Sequence, residues 1–265
     1  MTECKRQHEN DNTPVDILEK QVVNMQFLAY SDEEIRRLLA SYDTIIIKSA
    51  PGTGKSTLMR RMLLLDKEDG AGTDEYSYDD GEASTLVVGP LISFCESTHR
   101  SLKSVNEDEV LYSDVGELSG YDHKVVTMHS VARAGLQENR FFIGDEITSS
   151  INQTFSGIMK NKAEAREIFE WQFRQAEKAL LLDADIDEAY IHLLMSMRGG
   201  RTLFLHNTYV PMRRVDKRCV TEDDFYTAYS EGLQSAENLV AVCDAKRVAK
   251  TLTKMDEGGE SLQEK

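Results

Sequence analysis

Apolar residues follow two rhythms along this chain. The unbroken runs Thr44-Ile45-Ile46-Ile47-Lys48, Thr85-Leu86-Val87-Val88 and Ala179-Leu180-Leu181-Leu182 predict short strands buried on both faces of a parallel sheet. Residues 110–112, 125–128, 141–143 and 202–205 are further strand candidates. Helical spacing fills the intervals. Residues 17–39 read as helical, with Ser31 and Glu34 at capping-box spacing ahead of Ile35, Leu38 and Leu39. Helices are also expected over 55–65, 93–102 and 161–178, the last with Phe169, Phe173, Ala176 and Leu180 at i, i+4, i+7 and i+11. Strands alternating with helices predict an α/β fold, a parallel sheet with helices on both faces.

Composition sharpens this picture in two places. With 265 residues, 40% of them apolar, the chain can bury a substantial core. No apolar run is long enough to span a bilayer, and the polar first residues are not a secretory signal. Cys4, Cys95, Cys219 and Cys243 form no CxxC pair, which fits reduced thiols in an intracellular protein. The net charge of −15 is concentrated: residues 66–82 hold eight acids and one lysine, and 255–265 hold four acids and one lysine. Ten of the fifteen net charges therefore lie in two segments that read as solvated. The first marks 66–84 as a surface insert.

Chemistry gathers just beyond the strands. Ser49-Ala50-Pro51-Gly52-Thr53-Gly54-Lys55-Ser56-Thr57 follows the first buried strand and opens a helix, the context of a phosphate-binding loop. There Gly52, Thr53 and Gly54 would let backbone N–H groups curl around phosphates at a helix N-terminus. Lys55 would supply a mobile cation, Ser56 would ligate Mg²⁺, and Thr57 would complete the loop. Ser49 stands where the pattern has its first glycine. Asp145-Glu146 ends an apolar strand, where Asp145 would hold Mg²⁺ and Glu146 would orient or deprotonate a water. Asp183 and Asp185 end another strand. They fit either coupling of nucleotide state to a partner domain or, for Asp185, a cap on the next helix. Ser93, Thr127, His129, Ser130 and Arg133 also fall beyond strand ends and are candidate nucleic-acid contacts. The basic run 213–218 reads as a solvated linker.

Five blocks in order resemble the ATPase half of the herpesvirus-type replication origin-binding proteins, superfamily 2 helicases. SAPGTGKST is similar to that family's motif I, TLVVGPLISF to its Ia region and VVTMHSVAR to the next block. FFIGDEITSSINQTFSG resembles its Walker B block, and KALLLDADIDEAYIHLLMSMRG its motif III. Leu91 stands where the family usually has an arginine. The resemblance covers about 42 to 242 and implies a RecA-like ATP-binding domain over 43–210, preceded by a polar segment and helices in 1–42. It further implies a linker over 211–237 and the start of a second RecA-like domain over 238–265. Implied with it are ATP and Mg²⁺ as cofactors, DNA (single-stranded or a replication origin) and a second motor domain as partners, and a nuclear or viral replication site. Without the second domain's arginine, the resemblance implies a polypeptide that binds ATP, hydrolyses it slowly and does not unwind DNA alone. A P-loop kinase and a nucleotide-dependent binding module without turnover are the alternative readings.

Overall fold

The computed structural model describes residues 17–70 and 84–210, except 106, 119, 156–158 and 160, together with Thr227. The chain divides into two compact units, Met1–Pro211 and Met212–Lys265. The basic run 213–218, the expected linker and the expected second-domain start lie outside the described residues, as do 71–83 of the acidic insert.

Eight strands form one sheet in the first unit: β1 (Ile17–Val23), β2 (Thr44–Lys48), β3 (Thr85–Gly89), β4 (Val110–Leu111), β5 (His123–Thr127), β6 (Phe141–Asp145), β7 (Lys178–Asp183) and β8 (Arg201–Asn207). Their spatial order is β1-β8-β2-β7-β6-β3-β5-β4, and every pairing is parallel. The helices are α1 (Asp32–Ser41), α2 (Lys55–Gly70), α3 (Ile92–Leu102), α4 (Ile147–Gln153), α5 (Lys162–Gln175) and α6 (Glu188–Met197), with a 3-10 helix at Met128–Ala134.

The unbroken apolar runs are explained by burial on both sides. Alternate residues of a strand face opposite ways. Ile45, Ile47, Val87, Ile143, Leu180 and Leu182 pack with Ile35 of α1 and with Leu58, Met59 and Met62 of α2. On the other face Ile46, Leu86, Val88, Phe142 and Leu181 pack with Ile147 of α4, Phe169 and Phe173 of α5, and Ile191 and Leu194 of α6. Phe142 sits 5.4 Å, centroid to centroid, from both Phe169 and Phe173, joining sheet to helix by aromatic edges.

Three expectations need correction. Residues 17–23 are a strand, not the start of a helix, so the sheet begins before residue 43. Glu19, Lys20 and Gln21 are exposed there, because β1 is an edge strand with solvent on one side, and the mixed polarity imitates helical spacing. The helix expected over 161–178 ends at Gln175, so Leu180 of the apolar series belongs to β7. The acidic insert begins as helix: α2 runs to Gly70, with Asp66 paired to Arg140 and Asp69 to Arg36. The capping box at Ser31 and Glu34 is present.

Candidate nucleotide site

Since all strands run parallel, every strand's carboxyl end lies on one edge of the sheet. The order β2-β7-β6 brings the loop after β2, Asp183 of β7 and Asp145 of β6 side by side there. Residues far apart in sequence thus become neighbours.

The loop after β2 needs its glycines. Gly52 and Gly54 have φ of +78° and +87°, and a Cβ on Gly54 would lie 2.6 Å from the Phe27 ring. Ser49 is buried and its hydroxyl organises the turn. It donates to Thr53 Oγ1 at 2.5 Å, Thr53 donates onward to the Ala50 carbonyl at 2.7 Å, and Asn207 Nδ2 donates to Ser49 Oγ at 3.0 Å. Lys55 opens α2 with its side chain buried, its Nζ donating to the Ser49 carbonyl at 2.6 Å and lying 3.9 Å from Glu146 Oε1. Ser56 and Thr57 are exposed in the first helical turn.

The acidic half is equally specific. Asp145 is buried, and Thr98 Oγ1 of α3 donates to its Oδ2 at 3.0 Å. Burial pushes the Asp145 carboxyl up, opposed by the Thr98 hydrogen bond and the Lys55 charge. Glu146 is the one non-glycine with positive φ among the described residues, at φ 49° and ψ 57°. A left-handed backbone at a non-glycine residue costs energy and persists only where neighbours enforce it. Asp183 supplies that enforcement. Its Oδ2 accepts the Thr148 N–H of α4 at 2.7 Å and its Oδ1 accepts the Asp185 N–H at 2.7 Å, while the Ala184 N–H donates to the Glu146 carboxylate. Burial also raises the Glu146 carboxyl, and Lys55 opposes the shift.

This donor set fits magnesium. A carboxylate and a hydroxyl are hard oxygen ligands, and Mg²⁺ typically takes one or two carboxylates, completing its shell with phosphates and waters.

The candidate nucleic-acid residues divide. Ser93 and His129 are exposed on the carboxyl edge. Thr127 is buried and donates to Ser130 Oγ at 3.3 Å. Arg133 braces the 112–116 loop through the carbonyls of Tyr112, Val115 and Gly116 at 2.6 to 2.9 Å. Asp185 is exposed and does not cap α6; Asp187 does, accepting the Tyr190 N–H at 3.1 Å. Sequence reasoning missed Phe27, Thr98 and Asn207. Asn207 ends a buried strand, and its side chain bridges Ser49 to both the N–H and the carbonyl of Met25. A polar amide at that position was a visible signal, whereas Thr98 lies mid-helix with nothing local to mark it.

The chain is similar to known proteins in sequence and in fold. The putative helicase/primase complex protein of African swine fever virus (strain Badajoz 1971 Vero-adapted) is 25% identical over 178 residues, 66% of this chain and 16% of that protein. The uncharacterized putative helicase R8 of Acanthamoeba polyphaga mimivirus is 25% identical over 256 residues, 88% of this chain and 23% of that protein. The chain therefore spans under a quarter of the length of either relative. In fold it is similar to S. cerevisiae Dbp5 bound to RNA and ADP BeF3, with a TM-score of 0.59 at 16% identity, covering 86% of this chain and 61% of that one. The sequence profile of the family described as origin of replication binding protein matches residues 78–255, which begin downstream of the 49–57 loop. That match covers well over half of the chain, which belongs to the origin of replication binding protein family and carries a helicase-like domain.

Proposed function

We propose that the first unit binds Mg²⁺ and ATP at the Lys55–Asp145–Glu146 edge and serves as the nucleotide-hydrolysing half of a DNA helicase acting in replication. The supporting observation is the convergence of Lys55, Asp145, Glu146 and Asp183 on three neighbouring strand ends. Lys55 now rests on its own loop's carbonyl, an acceptor that phosphate oxygens would replace. Bound Mg²⁺ would offset charge developing on the phosphates. Asp145 and Ser56 would supply its protein oxygens. Glu146, held by the Ala184 N–H and facing Lys55, would accept a proton from the attacking water.

Membership of the origin of replication binding protein family and likeness to viral helicase/primase proteins support replication as the setting and DNA as the substrate. Ser93 and His129, exposed on the same edge, are the contacts that the geometry favours for a strand. The reading is tested by phosphate release from ATP with and without single-stranded DNA, comparing wild type with Glu146→Gln. Turnover abolished by the substitution while ATP binding persists is expected. Equal turnover in both proteins would contradict the assigned role of Glu146.

A further inference from the structure

Asn207 ends β8 buried, with its side-chain amide used to capacity. Its Oδ1 accepts the N–H groups of Met25 and Tyr209 at 2.9 and 3.2 Å. Its Nδ2 donates to the Met25 carbonyl at 2.8 Å and to Ser49 Oγ at 3.0 Å. Two N–H donors on one side and a carbonyl on the other fix which way round the amide stands. The direction of each bond beyond it follows. Nδ2 can only donate, so Ser49 Oγ accepts and turns its own hydrogen toward Thr53 Oγ1 at 2.5 Å. Thr53 then donates to the Ala50 carbonyl, which can only accept, at 2.7 Å. Three bonds thus run one way from the end of β8 into the loop after β2. They pass through Asn207, Ser49 and Thr53, which are 4%, 1% and 0% exposed. Hydrogen bonds linked in this manner away from water polarise and strengthen one another.

We propose that Asn207 is a positioning residue for the phosphate loop, acting through Ser49 and Thr53 to hold the loop in its anion-ready shape before a nucleotide arrives. This rests on the reading above that the loop receives nucleotide phosphates. Such a loop must turn N–H groups toward the anion and keep carbonyl oxygens away from it. The relay does this at Ala50, whose carbonyl is held by a buried hydroxyl. Ser49 is anchored at its other polar atoms as well. Its N–H donates to the Asp183 carbonyl at 3.0 Å, and its own carbonyl carries Lys55 Nζ at 2.6 Å. A glycine at this position would have no hydroxyl to pass the bond on. The contacts of Asn207 with Met25 and Tyr209 fasten the strand end by themselves, so the bond to Ser49 is the part addressed to the loop. A loop already held in its bound shape loses less freedom on binding, and the saving appears as affinity.

The test titrates ATP and, separately, inorganic tripolyphosphate into the full chain in Mg²⁺, with melting temperatures measured alongside. Tripolyphosphate carries the phosphates without base or sugar and so reads the loop alone. Proteins compared are wild type, Ser49→Ala, Thr53→Val, Thr53→Ser, the double variant Ser49→Ala with Thr53→Val, Asn207→Ala and Lys55→Ala. Ser49→Ala and Thr53→Val should each weaken both ligands by a similar factor, about 3- to 10-fold, as expected for one neutral hydrogen bond. Thr53→Ser, which keeps the hydroxyl, should bind as wild type does. The double variant should be no weaker than either single one, because a relay cut twice is lost once. Asn207→Ala should show the same loss of affinity and also melt earlier, since Met25 and Tyr209 lose their partner. Ser49→Ala leaves those contacts in place, which keeps the proposal testable if Asn207→Ala folds poorly. Unchanged tripolyphosphate affinity in Ser49→Ala, or single losses that add in full in the double variant, overturns the proposal. So does a wild type that binds ATP but not tripolyphosphate. Failure of the nucleotide reading itself shows elsewhere, as wild-type ATP binding no tighter than that of Lys55→Ala.

Discussion

Lys55 and Arg198 are equally buried cations, each 8% exposed, yet their surroundings differ completely. Arg198 is held on all sides. Its guanidinium donates to the carbonyls of Phe173 and Glu177 at 2.8 and 2.9 Å, to those of Arg174 and Ala176, and to Thr44 Oγ1 at 3.2 Å. It thus ties the last turn of α5, whose carbonyls lack helical partners, to the start of β2. Lys55 makes one hydrogen bond to a carbonyl of its own loop and one ion pair at 3.9 Å. Burying a charge is costly unless it is paired and hydrogen-bonded. The fold meets that requirement in full at Arg198 and only partly at Lys55. The difference marks one cation as a permanent strut and the other as a group kept ready for an incoming anion.

Substitutions can break this contrast. The largest effect is expected for Lys55→Ala, which should weaken ATP binding by the 2–5 kcal/mol typical of truncating a buried charged partner. Its urea midpoint should stay near wild type. Arg198→Ala should do the reverse, lowering stability by about 3 kcal/mol through stranded carbonyls, with ATP affinity in the folded protein unchanged. Denaturant titration and calorimetry read the two quantities separately. If both variants lost stability equally, the distinction between strut and poised group would fail.

A buried carboxyl, titratable rather than permanently charged, sharpens the comparison. Glu109, preceding β4, is 3% exposed, and neither carboxylate oxygen has a hydrogen-bond partner. Burial pushes its carboxyl up to about 8, with Asp108 adding to the shift and Lys103 opposing it. The His99 ring contacts its backbone carbonyl, and His123 lies 4.0 Å from neighbouring Asp108. A carboxyl raised on folding binds a proton in the native state that the unfolded chain releases near 4.5. Its contribution is therefore complete below that value and is lost as pH rises toward 8. Stability should fall across this window, by up to about 1.4 kcal/mol per pH unit from this group. Glu109→Gln should flatten the decline and be the more stable protein at pH 8, as urea midpoints across the window would show. An identical pH slope in the variant would mean that Glu109 is solvated in the native state. The smallest effect belongs to Thr44→Val, which removes one of the Arg198 acceptors and should cost about 1 kcal/mol.

Much of this was legible in the chain because local and global signals agreed. The runs at 44–48, 85–88 and 179–182 are apolar throughout, since parallel strands are covered on both faces, and they gave the architecture. The 49–57 loop was legible because its glycines answer a backbone requirement within the segment itself. What escaped was non-local. The strand at 17–23 acquires its pairing only from β8, nearly two hundred residues later. The hold of Asp183 on Thr148, of Thr98 on Asp145 and of Asn207 on Ser49 each joins residues that the fold alone brings together. Arg198, at the end of the block that resembles motif III, fastens α5, and Arg133 braces a loop. Both show that a basic residue near a site is often there to bind carbonyls.

The central claim is that the edge built by Lys55, Asp145 and Glu146 receives a magnesium-bound nucleotide. Isothermal titration of ATP with Mg²⁺ into wild type and Lys55→Ala at matched folded concentration tests it most directly. Saturable one-site binding in wild type, lost or weakened by at least ~30-fold in the variant, is the predicted result. Equal affinity in the two proteins, or no binding to wild type, would contradict it.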